Sequence, residues 1–234
     1  ELELILADLG TVARRLERLE ANIKKASKAE DVAERALFLR LKEALEAETP
    51  LREMGMTDEE THRLRGYALL SGKPLLLVAN LGEAEIREAA AFLERSGLAG
   101  FARKPGVALC AVSAPIEAEM ADLSPEDAKT FRDDLSLAEP GLERVIRSTY
   151  DLLGLISFLT AGEDECRAWT IRRGTRAQVA AGTIHSDIER GFIRAEVVPW
   201  QDLVELGSEA KCRDAGKLRV EGKSYVIQDG DVVN

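Results

Sequence analysis

Lys73–Glu83, KPLLLVANLGE, decides how the rest of the chain is read. Leu75–Ala79 is an apolar run opened by Pro74 and closed by Asn80-Leu81-Gly82-Glu83. A run this short, bounded by turn signals, predicts a strand buried on both faces, as in a parallel sheet. Glu83–Arg95 then predicts a helix with Ile86, Ala89, Ala90 and Leu93 on one side. A second such unit follows. Gly106–Ser113, GVALCAVS, reads as another buried strand and runs into Ser113-Ala114-Pro115. In an open α/β sheet, ligands bind in the crevice beyond the carboxyl ends of the strands. Asn80, Glu83, Ser113 and Ala114 are expected to meet in that crevice.

Composition sets the outer limits. The chain has 234 residues, enough for a real core and one or two domains. It is 45% hydrophobic and 32% charged, as expected of a globular protein. No apolar stretch approaches the roughly 18 residues of a membrane span. The opening ELELILADLG is acidic and carries no basic n-region, so no signal peptide is expected. Cys110, Cys166 and Cys212 are odd in number and far apart, which predicts neither a disulfide framework nor a zinc site. A reducing cytoplasm is the expected setting. A net charge of −10 argues against a basic nucleic-acid-binding field and leaves room for a local basic patch.

Before the decisive stretch the chain reads as helical. Leu9, Val12, Leu16, Leu19, Ile23 and Ala26 alternate at spacings of three and four, the seam of a coiled coil. Ser27–Asp31 interrupts the pattern, and Ser27 with Glu30 or Asp31 is positioned to cap a second helix. Asp31–Glu48 places Ala33, Leu37, Leu41 and Ala44 on one face. A short break between two amphipathic helices predicts an antiparallel hairpin. Thr49-Pro50 ends it, and Thr57 reads as the N-cap of a further helix reaching Leu70. Lys24, Lys25 and Lys28 gather at the hairpin tip. They read either as a solvated helix end or as a contact for RNA or another polyanion.

After Pro115, Ile116–Asp122, Ser124–Leu135 and Leu142–Leu153 read as helices, the last with Val145, Ile146, Leu152 and Leu153 inward. Then the texture changes. Leu155–Thr160, Cys166–Ile171, Phe192–Val198 and two short strands around Glu221-Gly222-Lys223, followed by an Asp229-Gly230 turn, predict a small mixed β domain. Trp169 and Trp200 are expected to pack within it. Arg172, Arg173 and Arg176 read as a solvated face more readily than as a binding site. His62 and His185 read as surface or structural residues, since no nucleophile lies near either.

Asn80-x-x-Glu83 is the most informative constellation, because it sits at a strand end and precedes a helix. P-loop nucleotide hydrolases read their base from such a place. The usual guanine reader is Asn-Lys-x-Asp, whose carboxylate accepts from two N–H groups on the guanine edge. Here Leu81 replaces the lysine and Glu83 the aspartate. Asn80 can donate to N7 of either purine, and a backbone carbonyl near Leu81 can accept from adenine N6. The competing reading is that Asn80 merely caps the Glu83–Arg95 helix. No G-x-x-x-x-G-K-[ST] occurs, and no Asp-x-x-Gly follows a strand in the right place, so this chain is not expected to hydrolyse a nucleotide alone.

These residues resemble those of the YchF/Obg-like ATPase family, a branch of P-loop proteins related to the Obg GTPases. Glu3-Leu4-Ile5-Leu6-Ala7-Asp8-Leu9 is similar to the family's entry into its coiled-coil insertion. Val78-Ala79-Asn80-Leu81-Gly82-Glu83 is similar to its variant base-reading motif. Gly191–Glu196 and Gly216–Val232 resemble its C-terminal TGS domain. The resemblance implies an α/β fold: residues 1–72 an inserted antiparallel coiled-coil hairpin, 73–159 the base-side part of a P-loop parallel sheet, and 160–234 a β-grasp-like TGS domain.

The resemblance further implies a longer parent with the phosphate loop and magnesium ligands ahead of this chain. It implies ATP preferred over GTP, with Asn80, Leu81 and Glu83 at the base and Ser113-Ala114 as the second base-side loop. It implies association with the ribosome and a TGS domain used for interaction, with no catalytic residue and no metal ligand here. The abrupt end at Asn234 is expected to remove a closing TGS strand and expose a sheet edge. A reading of a different class stands beside this one: a non-catalytic module that binds ribosomal RNA or protein through the hairpin tip and TGS domain. Neither reading includes a membrane or DNA partner.

Overall fold

The computed structural model describes residues 1–162 and 165–234. They fall into two compact units, Glu1–Val145 and Ile146–Asn234.

The first unit opens with α1 (Leu2–Lys25) and α2 (Ala29–Glu46). Ile5, Val12, Leu16 and Leu19 of α1 share one core with Leu37, Phe38, Leu41 and Leu45 of α2. Only Ala26–Lys28 separate the two helices, so the chain turns back on itself, and Arg15–Glu34 and Arg35–Glu20 pair across the seam. The expected Ser27 cap is not formed. α2 starts after Lys28 with no side-chain cap, two residues earlier than its pattern suggested. Ala26 and Ala33 are exposed, and Phe38 and Leu45 fill the interface instead.

A buried carboxylate interrupts the apolar line of α1. Asp8 is 3% exposed and accepts hydrogen bonds from Leu70 N (2.8 Å), Ser71 N (2.7 Å) and Ser71 Oγ (2.6 Å). The hairpin is thereby tied to the segment that enters the sheet. A second polar node lies farther along. Arg15 donates to both Glu34 oxygens at 2.9 and 2.8 Å, and Tyr67 Oη donates to Glu34 at 2.6 Å. The Arg15 guanidinium holds Glu34 below the usual carboxylate range. Burial, reinforced by Glu34, pushes the Tyr67 phenol up to about 12.

Thr57 caps α3 (Asp58–Leu64) in a reciprocal box with Glu60. The helix tightens over Arg65–Tyr67 and ends at Ala68, whose φ is +51°, short of Leu70. Strand β1 (Leu75–Asn80) then pairs in parallel with β2 (Val107–Val112), Leu75 opposite Val107 and Asn80 opposite Val112. Between them lie α4 (Glu83–Arg87), α5 (Ala89–Arg95) and α6 (Leu98–Ala102). The single helix expected over Glu83–Arg95 is broken at Glu88. Phe92, rather than exposed Ala90, packs beside Ile86. β1 also departs from its prediction. Ala79 packs on the core with Leu81, Ile86 and Ala111, while Val78 on the opposite face is 45% exposed. The strand is thus covered on one face.

Three helices follow: α7 (Ala114–Ala121), α8 (Pro125–Asp134) and α9 (Gly141–Leu153). Ser124 caps α8, accepting from Asp127 N at 3.2 Å. Ile146 and Leu153, expected inward, are 50% and 40% exposed.

The second unit holds β3 (Leu155–Ala161), β4 (Cys166–Arg172), α10 (Ala177–Ile184), α11 (Ser186–Gly191) and β5 (Arg194–Pro199). It continues with α12 (Trp200–Leu206), α13 (Glu209–Asp214), β6 (Arg219–Gly222) and β7 (Asp231–Val233). The sheet order is β4-β3-β7-β5-β6, with β3 and β7 parallel and the other pairs antiparallel. One face packs Ile156, Phe158 and Ile171 on Ala177, Ala180 and Ala181 of α10. Val198 and Val232 belong to a separate core with Cys212 of α13 and Leu203 and Leu206 of α12.

One expectation is corrected here. Only β6 forms near Glu221-Gly222-Lys223, and Val226 makes an isolated bridge to Arg176. β7, the last strand, lies at the centre of the sheet, and among the described residues the edges are β4 and β6. The Asp229-Gly230 turn is present. Asp229 Oδ1 accepts from Ser157 N, and Gly230, at φ +80°, donates to Ser157 O, both at 2.8 Å.

Candidate nucleotide-base site

The carboxyl ends of β1 and β2 are fastened together. Leu81 N donates to Val112 O at 2.8 Å, which carries the parallel pairing one residue past β1. The Leu81 side chain is turned into the core at 6% exposure. What Leu81 retains for a ligand is its carbonyl.

Asn80 does not cap the helix that follows it. α4 begins after Gly82, with no side-chain acceptor at its start. Instead Asn80 Oδ1 accepts from Ala114 N at 2.9 Å. Ala114 is the first residue of α7, so its N–H has no partner within its own helix. With the oxygen engaged, the exposed Asn80 side chain has its NH₂ group left to present.

Ser113 is the N-cap residue of α7, and its carbonyl accepts from Glu117 N at 2.9 Å. Its side chain is buried, and Oγ has no hydrogen-bond partner among the described residues. Ala114 is exposed beside it. Glu83 is the exposed first residue of α4 and pairs with Arg87 at 2.9 Å. An exposed pair at this helical spacing contributes about 0.3–0.5 kcal/mol. The structure therefore brings Asn80, Leu81, Ser113 and Ala114 together beyond the carboxyl ends of β1 and β2, with Glu83 engaged along its own helix.

Three residues that bond beside these strand ends carried no motif. Gly141 N donates to Glu117 Oε1 at 2.7 Å. Arg144 Nη1 donates to Ala111 O at 2.7 Å, and Nη2 to Glu139 O at 3.2 Å. The sequence marked Gly141 only as the residue before the expected helix Leu142–Leu153. Nothing in the sequence pointed to Glu117 or Arg144, because Gly141 N and Ala111 O are backbone groups 24 and 33 residues away from them.

Lys24 and Lys25 sit in the last turn of α1, and Lys28 is the N-cap of α2. All three are exposed at the hairpin turn. The histidines lie elsewhere. His62 is exposed on α3, and His185 Nδ1 accepts from Asp187 N at 3.1 Å, capping α11. Among the described residues no group of three or more His, Cys, Asp or Glu is placed to hold a metal ion. No helix among them is long and apolar enough to cross a membrane.

Residues 155–234 match the family model YchF-GTPase_C, described as a protein of unknown function (DUF933). The whole chain is 42% identical over 233 residues to "Ribosome-binding ATPase YchF" of Bacillus subtilis (strain 168), covering 100% of this chain and 63% of the relative. The chain belongs to the YchF/Obg-like ATPase family. "Obg-like ATPase 1" of Caenorhabditis elegans is 34% identical over 232 residues, 99% of this YchF-family chain and 58% of the relative. The solved "Structure of the Schizosaccharomyces pombe YchF GTPase" superposes with a TM-score of 0.81 at 29% identity. It covers 100% of this chain and 63% of the solved one. The YchF-family chain thus spans less than two thirds of the length of the proteins it matches.

Proposed function

We propose that this chain is the base-recognition and interaction part of a P-loop protein that hydrolyses ATP, GTP less well, and associates with the ribosome. In this reading residues 1–72 are the coiled-coil insertion, 73–159 the base side of the nucleotide domain and 160–234 the TGS domain. One observation carries it: Asn80 Oδ1 on Ala114 N orients the side chain so that its NH₂ faces outward at the carboxyl end of a parallel strand pair. That donor suits N7 of a purine, and the Leu81 carbonyl suits the N6 amino group of adenine. Guanine presents a carbonyl oxygen where adenine presents N6, which would face the Leu81 carbonyl acceptor to acceptor. The Glu83–Arg87 pair adds a bias against guanine, since its carboxylate is partly occupied.

Hydrolysis belongs to the longer protein. The phosphate-binding motif is not in this sequence, so no chemical step is assigned to this chain. In the full-length protein, Asn80→Ala should weaken ATP binding, read by calorimetric titration. Unchanged ATP affinity would remove Asn80 from the base site.

A second reading is supported by the tip of the hairpin. Lys24, Lys25 and Lys28 are exposed together on a chain of net charge −10. A local cationic cluster of this kind fits a polyanion such as ribosomal RNA. In that reading the hairpin and the TGS domain act as a binding module without catalysis. Both readings can hold for one full-length protein.

A further inference from the structure

We infer that Glu117 and Arg144 are positioning residues for the Ser113–Ala114 loop, and that the first turn of α9 belongs to the nucleotide-recognition apparatus. The inference rests on the base-site reading above.

The loop is gripped from two directions. Asn80 reaches it from β1 and takes the Ala114 amide. The start of α9 reaches it from behind, on either side of Ser113. Arg144 donates to Ala111 O, two residues before Ser113, at 2.7 Å. Glu117, three residues after Ala114 in α7, accepts Gly141 N at 2.7 Å. Its own amide is bonded to Ser113 O. Both grips on α9 involve a charged partner in a half-buried setting, which makes them stronger and more directional than neutral bonds.

Gly141 shows how close this approach is. A Cβ there would lie 2.8 Å from Glu117 Oε1 and 3.2 Å from Val112 Cγ1. A side chain at position 141 would push the Glu117 carboxylate away from its bond to the backbone.

The loop also has a reason to move when released. Ser113 Oγ is buried without a partner among the described residues, a state disfavoured relative to hydration. With Arg144 or Glu117 loosened, the backbone can turn that hydroxyl toward water. The Ala114 amide would then leave Asn80, and the Asn80 NH₂ would lose its fixed direction.

The test uses the full-length protein and two probes, ATP and inorganic tripolyphosphate, which has no base. Gly141→Ala and Arg144→Ala should weaken ATP by about tenfold, the scale of one lost oriented hydrogen bond. Tripolyphosphate binding should stay within about twofold of wild type, and Arg144→Lys should recover part of the loss. Unchanged ATP affinity in Gly141→Ala and Arg144→Ala, or an equal fall for both probes, would overturn the inference. Asn80→Ala separates the two levels. If it weakens ATP while the α9 variants do not, only this inference falls; if it spares ATP, the base-site reading falls with it.

Discussion

Asn80 Oδ1 accepts the Ala114 amide at 2.9 Å, so the end of β1 holds the start of α7 through one side chain. Asn80→Asp keeps an acceptor for that amide and removes the NH₂ group. ATP affinity of the full-length protein should fall about tenfold or more, with a melting temperature close to wild type. Wild-type ATP affinity in isothermal calorimetry would mean that the Asn80 donor does not touch the base.

Asp8 is the tether between the hairpin and the sheet. Its carboxylate satisfies two backbone amides and one hydroxyl in a buried place. Asp8→Ala leaves these donors unpaired, at a cost of about 3 kcal/mol for the group. Chemical denaturation should show that loss. A change below about 0.5 kcal/mol would mean that water replaces the carboxylate freely.

The Arg15–Glu34–Tyr67 node gives the first unit a pH signature with two limbs. Arg15 lowers the pKa of Glu34, so its contribution is present above the ordinary carboxylate range and is lost as pH falls through the lowered value. Burial and Glu34 raise Tyr67 to about 12, so its contribution holds below the ordinary tyrosine value and is lost as pH rises toward about 12. Glu34→Gln should flatten the acid limb and lower stability at neutral pH by about 1 kcal/mol. Thermal melts against pH would show it, and an unchanged acid limb would assign that limb to other carboxylates.

The hairpin tip is tested by changing charge alone. Replacing Lys24, Lys25 and Lys28 by glutamate should weaken ribosome co-sedimentation of the full-length protein. It should also reduce the salt dependence by about one unit of log–log slope per lost phosphate contact. Unchanged sedimentation would return the three lysines to a solvated helix end.

Much of the first unit was legible because its signals are local. The three- and four-residue spacing of Leu9, Val12, Leu16 and Leu19 marked α1, and the apolar runs after Pro74 and Gly106 marked β1 and β2. Thr57 and Ser124 announced their helices through side chains that bond within four residues. Legibility failed where tertiary contacts decide. Asp8 gave no local sign of its buried role, because its partners lie more than sixty residues away. α10 is eight residues long and buries small side chains, Ala177, Ala180 and Ala181, so it is too short and too weakly amphipathic to declare a period. In the crevice, the positions of Asn80 and Ser113-Ala114 followed from their strand ends. The bond between Asn80 and Ala114, and the grip of Arg144 on Ala111, joins parts of the chain that no sequence pattern connects.

The most direct measurement is a competition titration of the full-length protein with ATP and GTP against one fluorescent nucleotide. An outward Asn80 NH₂, the Leu81 carbonyl and a Glu83 held by Arg87 predict ATP displacing the probe at lower concentration than GTP. GTP displacing it at clearly lower concentration would contradict the adenine-reading crevice.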